Sequence, residues 1–160
     1  MKLKIGCFDS RREGYIHLDI EKDAKPDVVG DAKALPFKEN SFDEILTENV
    51  LEHIADTLQA MKEFHSVLRK KGRLKIVVPH ALNPNLYSTP DHMKGFTYTT
   101  FNQFWQPQHI GYPKFNCTKR RLILANKLFQ PLADRFPLKI ERLFWLFSPD
   151  FIEAELEPIK

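Results

Sequence analysis

Two short apolar segments near the start of the chain lead into residues that an open parallel sheet places at its ligand-binding edge. The segment Lys2–Ile5 runs directly into Gly6, and the segment Tyr15–Leu18 ends at Asp19. A third short segment is followed by Asp31. Because parallel strands present their carboxyl ends at one edge of the sheet, we expect these positions to lie together. One carboxylate can accept two hydrogen bonds from a ribose diol and a second can accept one from an exocyclic amine, so the sequence predicts a nucleoside-binding edge.

The first half of the chain alternates strand-like and helix-like patterns. The clearest helix follows Asp56, which forms a capping-box pattern with Gln59. The basic run Arg69–Lys71 is predicted to form the last turn of this helix, and Gly72 is predicted to end it. The predicted strands are Lys2–Ile5, Tyr15–Leu18, Asp27–Val29, Glu44–Leu46 and Arg73–Val78, and the apolar face of the helix is Leu58, Met61, Phe64, Val67 and Leu68.

Beyond Pro79 the pattern is less regular. Aromatic residues recur at helical spacing across Phe96–Trp105 and are predicted to pack in the core. Cys117–Ala125 and Phe151–Ile159 alternate and are predicted strands. The apolar run Leu143–Phe147 has two interpretations: packing in the core, or forming a homodimer or interfacial surface.

Composition limits the classes of partner and compartment. The 160 residues suit a single domain over residues 1–160. A net charge of +3 is too weak to indicate nucleic acid, so the basic run Lys119–Arg121 is interpreted as a solvated strand edge. Cys7 and Cys117 match no metal or redox spacing, and two free thiols suit a reducing cytoplasm. We find no leader peptide pattern and no apolar run long enough to span a bilayer, and we therefore expect a cytoplasmic protein.

Four motifs occur in an order and at a spacing that carry a family resemblance. They are Asp31–Ile45 (DAKALPFKENSFDEI), Asn49–Ile54 (NVLEHI), Val67–Gly72 (VLRKKG) and Ile76–Pro79 (IVVP). Together they resemble the class I S-adenosylmethionine-dependent methyltransferases, and most of all their small type 11 group. The resemblance covers about residues 1–80. It implies a Rossmann-like, mostly parallel sheet with an antiparallel C-terminal strand, and methyl transfer from S-adenosylmethionine to a small molecule.

The resemblance also implies roles for nine residues toward the cofactor. It names no catalytic base, because alignment and desolvation of an already nucleophilic acceptor supply much of the rate. The implied residues are Gly6, Cys7 and Phe8 at the turn near the methionine portion, Asp19 at the ribose, Ile20 on the adenine ring, Asp31 and Ala32 at the adenine amine and ring nitrogen, and Glu48 and Asn49 facing the sulfonium and the acceptor.

The chain departs from the family pattern near its start. Phe8 stands where the second glycine of the usual turn would be, and only a dozen residues separate Gly6 from Asp19. The first helix is therefore expected to be missing or reduced to a turn around Asp9–Glu13. These departures leave open a non-catalytic or weakly cofactor-binding module that acts through a partner. A nicotinamide oxidoreductase is disfavoured, since no G-x-G-x-x-G follows the first strand.

A metal site is not expected. Asn49, Glu52 and His53 resemble the first part of a magnesium site in some relatives, which carry a glutamate at the position of Asn49, and His80 could complete the set. An amide oxygen is a poorer ligand for magnesium than a carboxylate, and a softer ion would need three or four converging ligands. His92 is interpreted as a solvated loop residue.

Overall fold

The computed structural model describes residues 1–7, 11–105 and 110–160. Among these described residues, the chain up to Pro79 forms five strands and one α-helix, and the part after Pro79 forms four short α-helices and two strands. The strands are β1 (Lys2–Ile5), β2 (Ile16–Asp19), β3 (Val28–Val29), β4 (Phe42–Glu48), β5 (Leu68–Pro79), β6 (Phe115–Leu124) and β7 (Pro149–Pro158), and the helices are α1 (Thr57–Val67), α2 (Asn102–Trp105), α3 (Gln130–Arg135), α4 (Pro137–Arg142) and α5 (Phe144–Phe147).

One sheet joins the strands in the order β3-β2-β1-β4-β5-β7-β6. Strands β1 to β5 pair with one another in parallel, whereas β7 runs antiparallel to both β5 and β6. The predicted fold class, a mostly parallel Rossmann-like sheet with an antiparallel C-terminal strand, is confirmed. The direction of strand addition reverses between β1 and β4, which is the point where open α/β sheets bind ligands.

Helix α1 begins as its sequence predicts. The Asp56 Oδ1 atom accepts from the Gln59 amide at 2.9 Å, but the Gln59 side chain bonds Lys33 and Glu63 instead of closing the capping box. Helix α1 buries Met61, Phe64 and Val67 of the predicted face, and it also buries Ala60, which the prediction did not include.

The predicted end of α1 is wrong. Leu68 is already extended, with φ −70° and ψ 141°, and strand β5 follows at once. The basic run is therefore not a helical turn, and Lys71 takes the left-handed φ of +66°. A Cβ at Gly72 would lie 2.8 Å from the Arg69 carbonyl oxygen and 3.2 Å from that of Phe42. Gly72 thus permits close backbone approach at the irregularity where β5 shifts register on β4.

The C-terminal predictions hold for the strands and only in part for the helices. In β7 the buried residues alternate through Ile152, Ala154 and Leu156. The aromatic segment packs in the core as expected, with Phe96 stacked on Phe101 at 5.5 Å between ring centroids. Only its last four residues are helical. The residues before them form turns instead, in which the Thr100 amide donates to the Thr97 carbonyl and the Asn102 amide donates to the Thr99 carbonyl, both at 3.0 Å.

The Leu143–Phe147 run and the basic run Lys119–Arg121 each combine exposed and packed side chains. Within Leu143–Phe147, Phe147 is buried at 8% exposure, while Trp145 is 73% exposed. In the basic run, Arg120 lies 3.9 Å from the centre of the Tyr98 ring, so it packs on an aromatic surface. Within the described ranges, no helix combines the length and apolar character needed to cross a bilayer.

Candidate active site

The carboxyl ends of β1, β2 and β4 meet where the strand order reverses. Gly6 follows β1 with a φ of +74°, and its amide donates to the Leu18 carbonyl at 2.9 Å. A Cβ at Gly6 would lie 2.4 Å from Cγ2 of Val50, which follows β4. Two properties of glycine are therefore needed at this position: access to the left-handed region and the absence of a side chain.

Asp19 holds this edge together through backbone amides. Its Oδ2 atom accepts from the Cys7 amide at 2.8 Å, and its Oδ1 atom accepts from the Glu21 amide at 3.0 Å. Each carboxylate oxygen can accept more than one hydrogen bond, so the half-buried side chain keeps capacity for a ligand. Burial, followed by the charge of Asp19, raises the pKa of the Cys7 thiol, so Cys7 is not an activated nucleophile.

Asp31 stands at the end of the neighbouring strand. Its Oδ1 atom accepts from the Lys33 amide at 2.8 Å, and its Oδ2 atom lies 3.5 Å from the Lys33 Nζ atom. Ala32 between them is buried at 7% exposure. The Gly30 amide donates to the Asp19 carbonyl at 2.9 Å, which ties the two strand ends to each other.

Two adjoining cavities open at this edge. The smaller has a volume of about 230 Å³ and the larger about 1110 Å³, and both are lined by Gly6, Asp19, Ile20, Val50 and His53. The remaining residues of the smaller cavity are Ile5, Leu18, Gly30, Asp31, Ala32, Lys33, Ile54, Ala55 and Met93. A largely apolar space with two carboxylates in its wall suits a flat heterocycle joined to a sugar.

The larger cavity is lined by the end of β4 and the loop after β5. Glu48 and Asn49 both line it, and the Glu48 Oε2 atom lies 3.6 Å from the Lys4 Nζ atom. Lys4 is 2% exposed, and it also lines this cavity. Asn49 has a φ of +53°, and its amide donates to the Val77 carbonyl at 3.0 Å. Sequence reasoning did not single out Lys4, although a lysine between two apolar residues of a buried strand is a signal of a paired charge.

The structure thus brings seven of the nine predicted residues to one pair of cavities. Cys7 is buried beside them at 3% exposure, presents its amide to Asp19, and lines neither cavity. Phe8 lies outside the described residues. The seven that line the cavities are Gly6, Asp19, Ile20, Asp31, Ala32, Glu48 and Asn49.

The histidines are arranged differently from the sequence-based expectation. His80 is fully buried; its Nε2 atom lies 2.9 Å from Glu141, and its Nδ1 atom accepts from the Leu82 amide. These contacts direct His80 toward helix α4. His92 instead lies against His53, with ring centroids 4.6 Å apart. No periodic pattern indicates this contact in advance, because His92 reaches the site on an irregular loop.

Comparison with known proteins confirms the predicted resemblance. A family model described as a methyltransferase domain matches residues 12–76. The demethylmenaquinone methyltransferase of Thermotoga maritima is 34% identical over 80 residues, which are 50% of this chain and 32% of that protein. The chain spans about a third or less of the length of the curated relatives it matches.

Solved structures share the fold along almost the whole chain. An S-adenosylmethionine-dependent methyltransferase from Archaeoglobus fulgidus superposes with a TM-score of 0.69 at 18% identity, covering 98% of this chain and 85% of that one. The [4+2]-cyclase SpnF superposes with a TM-score of 0.67 at 12% identity, covering 99% and 75%. The fold is therefore that of class I methyltransferases, and the second structure carries the name of a different reaction.

Proposed function

We propose that this chain, which shares the fold and the methyltransferase-domain segment of the class I methyltransferases, binds S-adenosylmethionine and transfers its methyl group to a small molecule. The observation that carries the proposal is the pair of adjoining cavities, one bordered by Asp19 and Asp31 and the other by Glu48 and Asn49. They join at Gly6, where a Cβ would intrude on Val50.

The residues of the smaller cavity fit the nucleoside part of the cofactor. Asp19 would accept from the ribose hydroxyls, and Ile20, which is 61% exposed, would be covered by the adenine ring. Asp31 would accept from the adenine amine, and the Ala32 amide would donate to a ring nitrogen. Each of these contacts matches a donor with an acceptor and needs no buried charge to be left unpaired.

The larger cavity fits the reacting end. S-adenosylmethionine supplies an electrophilic methyl group on a sulfonium, and displacement leaves a neutral thioether. Glu48 and Asn49 would orient the acceptor beside that group, and Lys4 would fix the Glu48 carboxylate through their ion pair. The cavity volume of about 1110 Å³ suits a small-molecule acceptor. The relative from Thermotoga maritima is named for demethylmenaquinone, which supports the same class.

Ligand binding tests the proposal before any acceptor is known. S-adenosylhomocysteine should bind by calorimetry and raise the melting temperature, because a ligand at a hundred times its Kd stabilises the folded state by about 2.7 kcal/mol. NAD is the matched control and should do neither. Transfer of a labelled methyl group should then be assayed over a panel of acceptors. No heat and no thermal shift with millimolar S-adenosylhomocysteine would reject the proposed function.

Two further proposals concern the location and the oligomeric state of the protein. The free thiols Cys7 and Cys117 support a cytoplasmic location.

The exposed Trp145 and Leu146 support a homodimer through Leu143–Phe147. Sedimentation of the protein and of a Trp145→Ser variant tests the dimer, which should be lost in the variant.

A further inference from the structure

Three potential metal ligands converge on the wall of the larger cavity. Glu52, His53 and His92 each offer one ligand atom, and all three atoms lie within 4.8 Å of one another. Glu52 and His53 come from the turn after β4, whereas His92 comes from the loop after β5. All three also line the larger cavity, beside the Asn49 that the proposed function places near the acceptor.

The carboxylate of this trio is buried without a full set of partners. Glu52 is 1% exposed, and within the described ranges its Oε2 atom has no hydrogen-bond partner. Burial also raises the pKa of Glu52 above its ordinary value. A carboxylate oxygen that is removed from water and left unbonded is costly, and coordination to a cation removes that cost.

Both histidines are held through the same ring nitrogen. The His53 Nδ1 atom lies 2.8 Å from the Asp91 Oδ2 atom, and the His92 Nδ1 atom lies 2.8 Å from the Leu86 carbonyl oxygen. A carbonyl oxygen accepts only, so His92 carries its proton on Nδ1, and a neutral His53 bonded to a carboxylate does the same. The lone pair of each neutral ring is then on Nε2. Metal-binding histidines are commonly fixed in this way by a carboxylate or a backbone carbonyl.

We propose that Glu52, His53 and His92 bind one divalent ion of the zinc class. Two imidazoles and one carboxylate suit zinc or a similar transition metal better than magnesium, which prefers an octahedron of oxygens. The ligand atoms around a tetrahedral zinc lie about 3.3–3.6 Å apart. The three ligand atoms here lie within 4.8 Å of one another, so side-chain rotations that move them by about 1 Å would bring them to an ion. The fourth position would face the larger cavity.

This site replaces the set considered from the sequence. Asn49 is not needed as a ligand, and His80 bonds Glu141 instead. The requirement for three converging ligands, which argued against a softer ion, is met by His92. Binding of the ion is independent of the proposed methyl transfer. Only its role toward an acceptor, as a Lewis acid for a bound oxygen, rests on that function.

Titration of untagged, chelator-treated protein with Zn²⁺, and with Co²⁺ as a spectroscopic probe, tests the site. We expect one saturable ion per chain, visible absorption from bound Co²⁺, and no comparable binding of Mg²⁺. Glu52→Gln and His92→Gln should each weaken Zn²⁺ binding at least tenfold, and Asp91→Asn about 10- to 100-fold. His65→Gln is the control, because His65 bonds the Ile159 carbonyl away from the cluster, and it should leave Zn²⁺ affinity unchanged.

Circular dichroism and thermal melting of each variant separate loss of the site from loss of the fold. Equal Zn²⁺ affinity in wild type, Glu52→Gln and His92→Gln, all folded, would overturn the proposal, as would the absence of saturable binding to wild type. S-adenosylhomocysteine binding is measured on the same metal-free protein. If the protein binds Zn²⁺ but not S-adenosylhomocysteine, only the proposed function is rejected. If it binds S-adenosylhomocysteine but not Zn²⁺, only the metal site is rejected.

Discussion

Substituting Gly6 with alanine should destabilise the protein for two separable reasons. The left-handed φ of +74° costs a residue with a Cβ about 1–2 kcal/mol. The new Cβ would also lie 2.4 Å from Cγ2 of Val50, and overpacking of this kind costs about 1–3 kcal/mol. We therefore expect Gly6→Ala to lower the free energy of unfolding by about 2–5 kcal/mol.

Two further variants separate the two contributions. Gly14 has a φ of +80°, and among the described residues nothing lies within 4 Å of the position its Cβ would take. Gly14→Ala should therefore cost only the backbone part, about 1–2 kcal/mol. In the double variant Gly6→Ala, Val50→Ala the clashing methyl is gone, and the Cβ of residue 50 stands at an ordinary 3.7 Å from the new Cβ. The two substitutions should thus be coupled by about 1–3 kcal/mol.

Urea unfolding followed by circular dichroism gives these free energies, and calorimetry with S-adenosylhomocysteine gives the accompanying loss of affinity. Affinity should fall in Gly6→Ala because Gly6 and Val50 line both cavities, and it should be unchanged in Gly14→Ala. A cost of Gly6→Ala no greater than that of Gly14→Ala, or effects of Gly6→Ala and Val50→Ala that simply add, would contradict the proposed clash with Val50.

Three other changes test the remaining side chains of the site. Asp19→Ala should lower affinity for S-adenosylhomocysteine about ten- to a hundredfold by calorimetry, and should also lower the melting temperature, because the Cys7 and Glu21 amides lose a charged acceptor. Asp31→Asn should weaken binding less than Asp19→Ala, since the amide keeps one acceptor oxygen; the opposite order would mean that the ribose and adenine partners are assigned wrongly. Folding raises the pKa of Glu52, so the wild-type protein should lose stability as pH rises from about 4 to neutral in the absence of metal. Glutamine does not titrate, so the Glu52→Gln variant should gain stability relative to wild type over the same pH range. Denaturation at several pH values measures this, and a constant difference between Glu52→Gln and wild type would contradict it.

The parallel half of the fold can be predicted because its signals are local. The apolar pattern predicts strand β1 to the residue, and the capping residue Asp56 sets the start of α1. The end of α1 could not be predicted, since Leu68 leaves the helix in order to pair with Phe42 in a neighbouring strand. A basic run before a glycine is typical of a helix end, and here tertiary strand pairing overrides that preference.

The candidate site shows the same division. Gly6, Asp19 and Asp31 lie at or just after the ends of strands, so their meeting depends on strand order alone. His92 could not be foreseen as a site residue, because it arrives on an irregular loop. The position of Lys4 inside an apolar strand indicates a paired charge, but it does not indicate that Lys4 lines the cavity. The exposure of Trp145 could not be predicted either, because a continuous run of apolar residues does not indicate which of them face the core.

Side chains hold the described residues of the connection between β1 and β2, which are residues 6–7 and 11–15. Asp27 accepts from the His17 amide at 2.8 Å and from Arg11 at 2.6 Å, and the His17 Nδ1 atom lies 3.0 Å from it. The other ring nitrogen of His17 accepts from the Arg12 amide at 2.8 Å, so the proton of a neutral His17 is on the nitrogen that faces Asp27. The bond from the His17 amide, followed by that from Arg11, holds the pKa of Asp27 well below its usual range.

Two carboxylates, those of Asp27 and Asp19, therefore hold the described residues of this connection. Asp27 accepts from Arg11 within the connection, and Asp19 accepts from the amide of Cys7, just after β1, and from the amide of Glu21, just after β2. Asp19 thus binds the backbone before any ligand arrives, so its position does not have to be established on binding. The proposed ribose site would be pre-formed in this way, because the carboxylate that would recognise the ligand also accepts from the backbone amide that follows β1.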